Sequence, residues 1–181
     1  MSFWVLITLL SCSIVWVLWN SSLDAWWQPT DHTTVKRILD LADIRPDDII
    51  YDLGCGDGRI VVEAAKQYGI RGVGIEIDPL RVAISWLRAL FAGQQSRVTI
   101  KMGNMYRVDL RQADVVVLFL SASSNRKLAP KLSRELEEGS RIVSYYHELP
   151  GWDSIQRAKS RDGHLLYLYQ KGVDRDDNAS S

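Results

Sequence analysis

Residues 49–79 read IIYDLGCGDGRIVVEAAKQYGIRGVGIEIDP, and the order of parts in this stretch decides the fold. Ile49 to Leu53 is a short apolar strand that runs into glycines. Arg59 to Tyr68 has the spacing of an amphipathic helix, and Gly69 ends it. Gly72 to Ile77 is a second apolar strand, and Pro79 is a favoured first residue for the helix that follows. Strand, glycine loop, helix and strand in this order make one crossover of a parallel sheet. Working outward, Val35, Ile38, Leu39 and Ala42 predict a helix over Thr33 to Ala42, broken by Arg45-Pro46-Asp47-Asp48. Downstream, strands are expected at Val98 to Lys101, Asp114 to Leu120 and Arg141 to Tyr146, with a helix over about Asn125 to Leu136. The run Asp114 to Leu120, DVVVLFL, suits a central strand covered on both faces. Two last runs, Ser154 to Ala158 and Leu165 to Gln170, flank Arg161-Asp162-Gly163, a hairpin-type turn. The expected class is α/β: a Rossmann-like, doubly wound, mostly parallel seven-stranded sheet with an antiparallel edge hairpin, preceded by an N-terminal hydrophobic helix.

That N-terminal piece is a different material from the rest. Phe3 to Trp19 reads FWVLITLLSCSIVWVLW, 17 residues without a charge. As a helix it spans roughly 26 Å, and extension to Leu23 brings it to the ~30 Å of a hydrocarbon core. Trp16, Trp19, Trp26 and Trp27 gather at its far end, where amphipathic rings favour headgroups. A signal peptide is the rival reading, weakened by the lack of Lys or Arg ahead of the run and of a small-x-small cleavage site. A buried core helix is the third, though such helices are seldom apolar on every face. The sequence thus divides into an anchor at 1–24, a domain at 25–172 and a disordered tail at 173–181. Lys36, Arg37 and Arg45 follow the anchor, which places the domain in the cytoplasm. The 22 basic and 22 acidic residues balance, and the first charge is Asp24, so residues 25–181 are near neutral on their own. That argues against a nucleic-acid partner gripped by a basic surface. Two Cys build no disulfide scaffold, and no metal-ligand cluster is visible.

The chemistry lies in Asp52-Leu53-Gly54-Cys55-Gly56-Asp57-Gly58. Ligands of open α/β sheets bind at the carboxyl ends of strands, and glycines there let the backbone approach them closely. Position 59 is Arg, so the spacing is G-x-G-x-G and lacks the third glycine of the dinucleotide fingerprint. Asp52 and Asp57 suit a ligand bearing ammonium and sulfonium charges better than a pyrophosphate. Glu76 ends the second strand, 22 residues after Gly54, where a carboxylate accepts ribose hydroxyls. A nucleoside with a cationic amino-acid tail describes S-adenosyl-L-methionine.

DLGCGDG followed by GIEIDP resembles the first two motifs of the class I, seven-strand S-adenosylmethionine-dependent methyltransferases. LADIRPDDIIYDLGCGDGRIVVEAAK, DVVVLFL and KLSRELEEGSRIVSYYHELPGW with LLYLYQ resemble a narrower group: protein-lysine methyltransferases that include the ATP synthase c-subunit and adenine nucleotide translocase enzymes, with prokaryotic relatives. Members of that group also carry an apolar segment before the domain. The resemblance implies that Asp52, Gly54, Gly56 and Asp57 line the methionine part of the cofactor, with Cys55 and Gly58 completing the loop. Glu76 would hold the ribose and Ile77 would pack on the adenine. Asn104 and Met105, after the third strand, fall near the adenine amino group, where relatives often place an acidic residue. Ser121-Ala122 stands where related prokaryotic sequences show Leu-Pro.

Methyl transfer from a sulfonium needs alignment more than acid–base help. The expected enzyme therefore has positioning groups rather than an obligatory catalytic residue: Ser121, Asn125, Tyr146 and His147. Its expected acceptor is a lysine amine on a protein, membrane proteins among the candidates. A membrane lipid or small amphiphile is the alternative acceptor, and a non-catalytic cofactor-binding module the alternative class. No Asn-Pro-Pro-Tyr-type motif follows the fourth strand, against a nucleic-acid methyltransferase. Among the remaining groups, Asp78 reads as a helix cap, Cys55 as a buried filler, and His32 and His164 as surface residues. Arg126, Lys127, Lys131 and Arg134 read as a solvated helix face.

Overall fold

The computed structural model of the chain describes residues 4, 5, 7, 8, 10, 11 and 30–173. Four helices, α1 (His32–Leu41), α2 (Arg59–Tyr68), α3 (Pro79–Phe91) and α4 (Ala122–Glu135), accompany seven strands. The strands are β1 (Ile49–Leu53), β2 (Arg71–Glu76), β3 (Val98–Met102), β4 (Val115–Leu118), β5 (Arg141–Tyr145), β6 (Gln156–Lys159) and β7 (Leu165–Gln170). They form one sheet in the order β3-β2-β1-β4-β5-β7-β6. The first five are mutually parallel, and β7 runs antiparallel to both β5 and β6, so the expected edge hairpin is present with β7 inside it.

Alternation along the strands sorts the core onto two faces. Ile50, Val115, Val117 and Val143 pack with α1 and α2. Tyr51, Leu53, Val116, Leu118 and Ile142 pack with Leu128 and Leu132 of α4. β4 is buried at every residue, as a central strand between two helical layers requires. The strand order reverses between β1 and β4, and their carboxyl ends, where ligands bind, point the same way as that of β5.

Two boundaries and one surface assignment differ from the sequence reading. The helix read as beginning at Asn125 begins at Ala122, because Ser121 Oγ accepts the Ser124 N–H at 3.2 Å and caps it. It carries Pro130 in its interior, where the ring removes one N–H from the helical ladder; Arg126, four residues earlier, and Pro130 are both exposed. The sixth strand starts two residues late, at Gln156. The supposed solvated face of α4 is also mixed, since Lys131 is buried against Glu135.

A buried ion pair ties the chain entry to the sheet. Arg141 at the start of β5 donates Nη2 to both oxygens of Asp48, at 2.8 and 2.7 Å, and Nη1 to the Ala42 and Asp43 carbonyls. Both partners are nearly inaccessible. The anchor expected at 1–24 lies mostly outside the described residues, as do 174–181 of the expected tail. Among the described residues no helix is long and apolar enough to cross a membrane. Residues 4, 5, 7, 8, 10 and 11 are helical, with Trp4, Val5, Ile7 and Leu10 exposed.

Removing one partner of the Arg141–Asp48 pair strands a buried charge. Arg141→Met should lower the unfolding free energy in urea by roughly 3–5 kcal/mol, and the R141M/D48L pair should recover most of that loss. A single variant as stable as the parent would mean that the pair is dispensable.

Candidate functional site

At the carboxyl end of β1 the backbone turns through Gly54, Gly56 and Gly58, with φ of 82°, 56° and 73°. These are left-handed conformations that side-chain-bearing residues adopt at a cost. Gly58 has a second reason to be glycine: a Cβ there would lie 2.9 Å from the Cβ of Ser85. The loop therefore seats directly on α3, and Ser85 Oγ donates to the Gly56 carbonyl at 2.7 Å. From the other side, the Gly54 and Cys55 N–H groups donate to the Ile75 carbonyl at 2.9 and 3.0 Å.

Three acidic side chains meet at this loop, and the structure gives each a different fate. Glu76 is buried and accepts three backbone N–H bonds, from Gly56 at 2.9 Å, Ile77 at 2.9 Å and Asp78 at 3.0 Å. A carboxylate has about four acceptor positions, so one remains for a hydroxyl such as a ribose offers. Asp57 was read as lining the methionine part, but its carboxylate is turned elsewhere. It accepts Nε and Nη2 of Arg59 at 2.8 and 2.5 Å and Nη2 of Arg88 at 2.7 Å. Burial alone would raise its pKa; Arg59 and then Arg88 outweigh this and hold it below the ordinary carboxylate range. Asp57 thus braces the loop against α2 and α3.

Asp52 is the contrast. It is 2% exposed, and among the described residues nothing donates to its Oδ2. Burial first, then the charges of Glu76 and Asp57, push its pKa up to about 8. A buried acceptor without a donor costs folding free energy, so it marks a place where a donor-bearing ligand belongs. An amino-acid ammonium supplies both the donors and the charge. The site thus fits S-adenosyl-L-methionine, with Asp52 facing its cationic end and Glu76 its ribose.

The remaining cofactor residues fall as follows. The Cys55 thiol is buried against Gly74, where a Cβ would come within 2.7 Å of its sulfur, and burial raises its pKa. It is a packing group beneath the loop rather than a ligand-facing one. Ile77 lies just past β2 with an exposed side chain, open for contact with a flat ring. Asn104 is exposed, and its Oδ1 accepts the Tyr106 N–H at 2.9 Å, closing a local turn. Met105 packs on the core beside α4. Asp78 caps α3 through the Leu80 and Arg81 N–H groups.

The residues expected at the acceptor side gather at the ends of β4, β5 and β7. Ser121 is committed to its cap, with its hydroxyl also bonded to Ser123 and Ser124. Asn125 is fully buried, and its Nδ2 donates to Ser144 Oγ and to the His147 and Glu148 carbonyls at 3.0, 3.1 and 3.3 Å. It therefore shapes the loop after β5 rather than touching a substrate. Tyr145 is core, whereas Tyr146 is exposed and held at φ 79°, a strained conformation for an aromatic residue. Its N–H donates to the Leu165 carbonyl at 2.9 Å. Its ring lies 4.2 Å from His164 and 5.0 Å from His147, centroid to centroid. His164, expected at the surface, is partly exposed, and the β5–β7 pairing brings it beside Tyr146. Tyr146 stands two strands over from Asp52, roughly 10 Å across the sheet at ~4.8 Å per strand. Arg88 and Ser85, which hold the loop from α3, give no sequence signal, because they stand 31 and 29 residues from Asp57 and Gly56; Arg59 is visible in the sequence only as the residue that breaks the dinucleotide fingerprint.

Comparison with known proteins follows the same geometry. A family described as "ANTKMT methyltransferase domain" matches residues 52–156. A protein-lysine N-methyltransferase of the archaeon Saccharolobus islandicus is 41% identical over 148 residues, which cover 80% of this chain and 92% of the relative. The mouse adenine nucleotide translocase lysine N-methyltransferase is 38% identical over 122 residues, 67% of this chain, and the chain spans about half of that enzyme (52%). Among solved structures, an RNA methyltransferase from Salinibacter ruber in complex with S-adenosyl-L-homocysteine superposes with a TM-score of 0.77 at 38% identity, covering 83% of this chain and 98% of that one.

The raised pKa of Asp52 has a sign that can be measured. In the ligand-free protein the folded state keeps its proton up to about 8, while the unfolded chain releases it near 3.8. Stability should therefore fall as pH rises between these values. Asp52→Asn should remove this contribution to the slope and weaken S-adenosylhomocysteine binding by about ten- to a hundredfold, the loss expected for a charged hydrogen bond. Calorimetric titration and urea unfolding across pH would check both; unchanged affinity would take Asp52 out of the site.

Proposed function

The chain belongs to the ANTKMT methyltransferase family, class I enzymes that use S-adenosyl-L-methionine, and from that premise we propose that its methyl acceptor is the side-chain amine of a protein lysine presented at a membrane. The observation that carries the lysine reading is the 41% identity across nearly the whole of an archaeal protein-lysine N-methyltransferase. The acceptor end of the sheet is compatible with it. The exposed Tyr146 ring, with the half-buried His147 and His164 beside it, offers an aromatic face on which an alkylammonium can rest by cation–π attraction.

The cofactor supplies the methyl group as a sulfonium with a neutral leaving group. The protein's own task is to deliver the nitrogen in line and unprotonated. A free lysine has a pKa near 10.4, and an apolar surrounding disfavours its charged form. Tyr146 positions the aliphatic stem and the amine. The His147 imidazole, beside the Tyr146 ring, receives the proton that the amine must lose. Asn125 keeps that loop in place through its bonds to the His147 and Glu148 carbonyls.

Membrane placement is supported by the uncharged run Phe3–Trp19, and a cytoplasmic domain by Lys36, Arg37 and Arg45 after it. The Salinibacter likeness raises RNA as a second acceptor. Against RNA stands the chain's zero net charge, since nucleic-acid enzymes rely on basic surfaces.

Incubation of the full chain with methyl-labelled cofactor and a membrane fraction, followed by hydrolysis, should yield methyl-lysine. Label confined to RNA or to lipid would overturn the assignment. Tyr146→Ala should lower kcat/KM by about tenfold or more while S-adenosylhomocysteine affinity holds, since it removes positioning alone; unchanged turnover would release Tyr146 from the acceptor site.

A further inference from the structure

α3 is turned inside out. Every exposed residue of this helix is apolar: among them Leu80, Ile84, Trp86, Leu87, Leu90 and Phe91, with Phe91 85% exposed. Leu80, Ile84, Leu87 and Phe91 follow one stripe at helical spacing, and Trp86 and Leu90 widen it. Its two charged residues point the other way. Arg88 bonds the Asp57 side chain and carbonyl, and Arg81 lies toward Asp78. A water-exposed helix normally shows the reverse arrangement, and a contiguous apolar face of this kind marks a contact surface.

We propose that this face of α3 lies flat against the lipid bilayer, so that the domain rests on the membrane through a second contact besides the N-terminal run. The inference rests on the membrane placement proposed above. Three observations favour lipid over protein as the occupant. The residues ahead of Thr30 contain the 17-residue uncharged run, which draws the chain to a bilayer. The chain rejoins the domain beside α3: the Thr30 carbonyl accepts Arg59 Nη1, and Arg59 shares Asp57 with Arg88 of α3. The described apolar residues Trp4, Val5, Ile7 and Leu10 are themselves exposed and leave the α3 face open.

At 13 residues α3 is roughly 20 Å long, too short to cross and suited to lying in the interface, with Trp86 in the headgroup layer. Arg97 and Lys101, exposed on the chain that follows, suit anionic headgroups. α3 begins at Asp78–Pro79, next to Ile77 and Glu76, so a membrane against α3 also fixes how the cofactor loop stands over the bilayer.

The test uses the full chain with Cys12→Ser, reconstituted into phosphatidylcholine–phosphatidylglycerol vesicles. Cys55 is buried and stays unlabelled. A nitroxide is placed at Leu87→Cys on α3 or at Arg126→Cys on α4, across the sheet. Unchanged S-adenosylhomocysteine affinity confirms that each labelled protein is folded. The label at 87 should collide several-fold more with oxygen, which concentrates in lipid, than with an aqueous nickel chelate, and the label at 126 should show the opposite. If both labels meet the nickel chelate while the protein floats with the vesicles, the α3 contact is wrong and the anchor stands. If the label at 87 is shielded from both reagents, protein covers the face and the proposal fails. Failure to float at all overturns the membrane placement and this contact together, leaving the lysine chemistry to its own test.

Discussion

The site depends on where negative charge is allowed to sit. Three carboxylates, Asp52, Asp57 and Glu76, converge on one glycine loop, and like charges brought together in a low-dielectric interior repel strongly. The fold settles two of them from within. Glu76 is held by three backbone amides, which also lock the β1 loop to the turn before α3. Asp57 is neutralised by Arg59 and Arg88. Asp52 receives no such compensation, and its proton affinity rises accordingly. That carboxyl, left protonated by burial and by its acidic neighbours, is the one an incoming ammonium would complete.

The same pairing explains the unusual surface of α3. Arg88 is drawn inward because Asp57 needs a partner, and Ser85 faces inward because Gly56 and Gly58 press on it. With its polar positions committed to the loop, the helix has only apolar side chains left to show on its outer side. A water-exposed helix usually carries charge there; the bilayer contact proposed above would account for its absence. The cofactor loop and the apolar face are two sides of one helix.

What the sequence revealed follows the range of each interaction. The sheet was legible because period-2 and period-3.6 patterns are local, and the loop because glycines and acids stand together in Asp52–Gly58. Glu76 was legible by its distance along the chain from Gly54. Asp57 was misjudged because its partners include Arg88, 31 residues away on another helix, and no spacing rule joins them. The start of α4 was missed because Ser121, Ser123 and Ser124 read as a loop until Ser121 is seen to cap. His164 met Tyr146 only through the hairpin register, which a turn motif does not define. Contacts made within one element were readable, whereas those between elements needed the fold.

This division also bears on how one scaffold resembles both lysine and RNA methyltransferases. The cofactor half is built from the ends of β1 and β2, where backbone amides and glycines do the work and leave little room to vary. The proposed acceptor side lies at the ends of β4, β5 and β7, where side chains rather than backbone line the surface. Here it has a strained, exposed Tyr146 flanked by two imidazoles, anchored from behind by the buried Asn125. Strain of this sort persists only where surrounding contacts enforce it. The Tyr146 N–H bond to Leu165 and the Asn125 bonds to the next two carbonyls supply that enforcement. A structure that holds an aromatic ring outward against its backbone preference points to what that ring meets, and in a near-neutral domain an alkylamine suits it better than a polyanion.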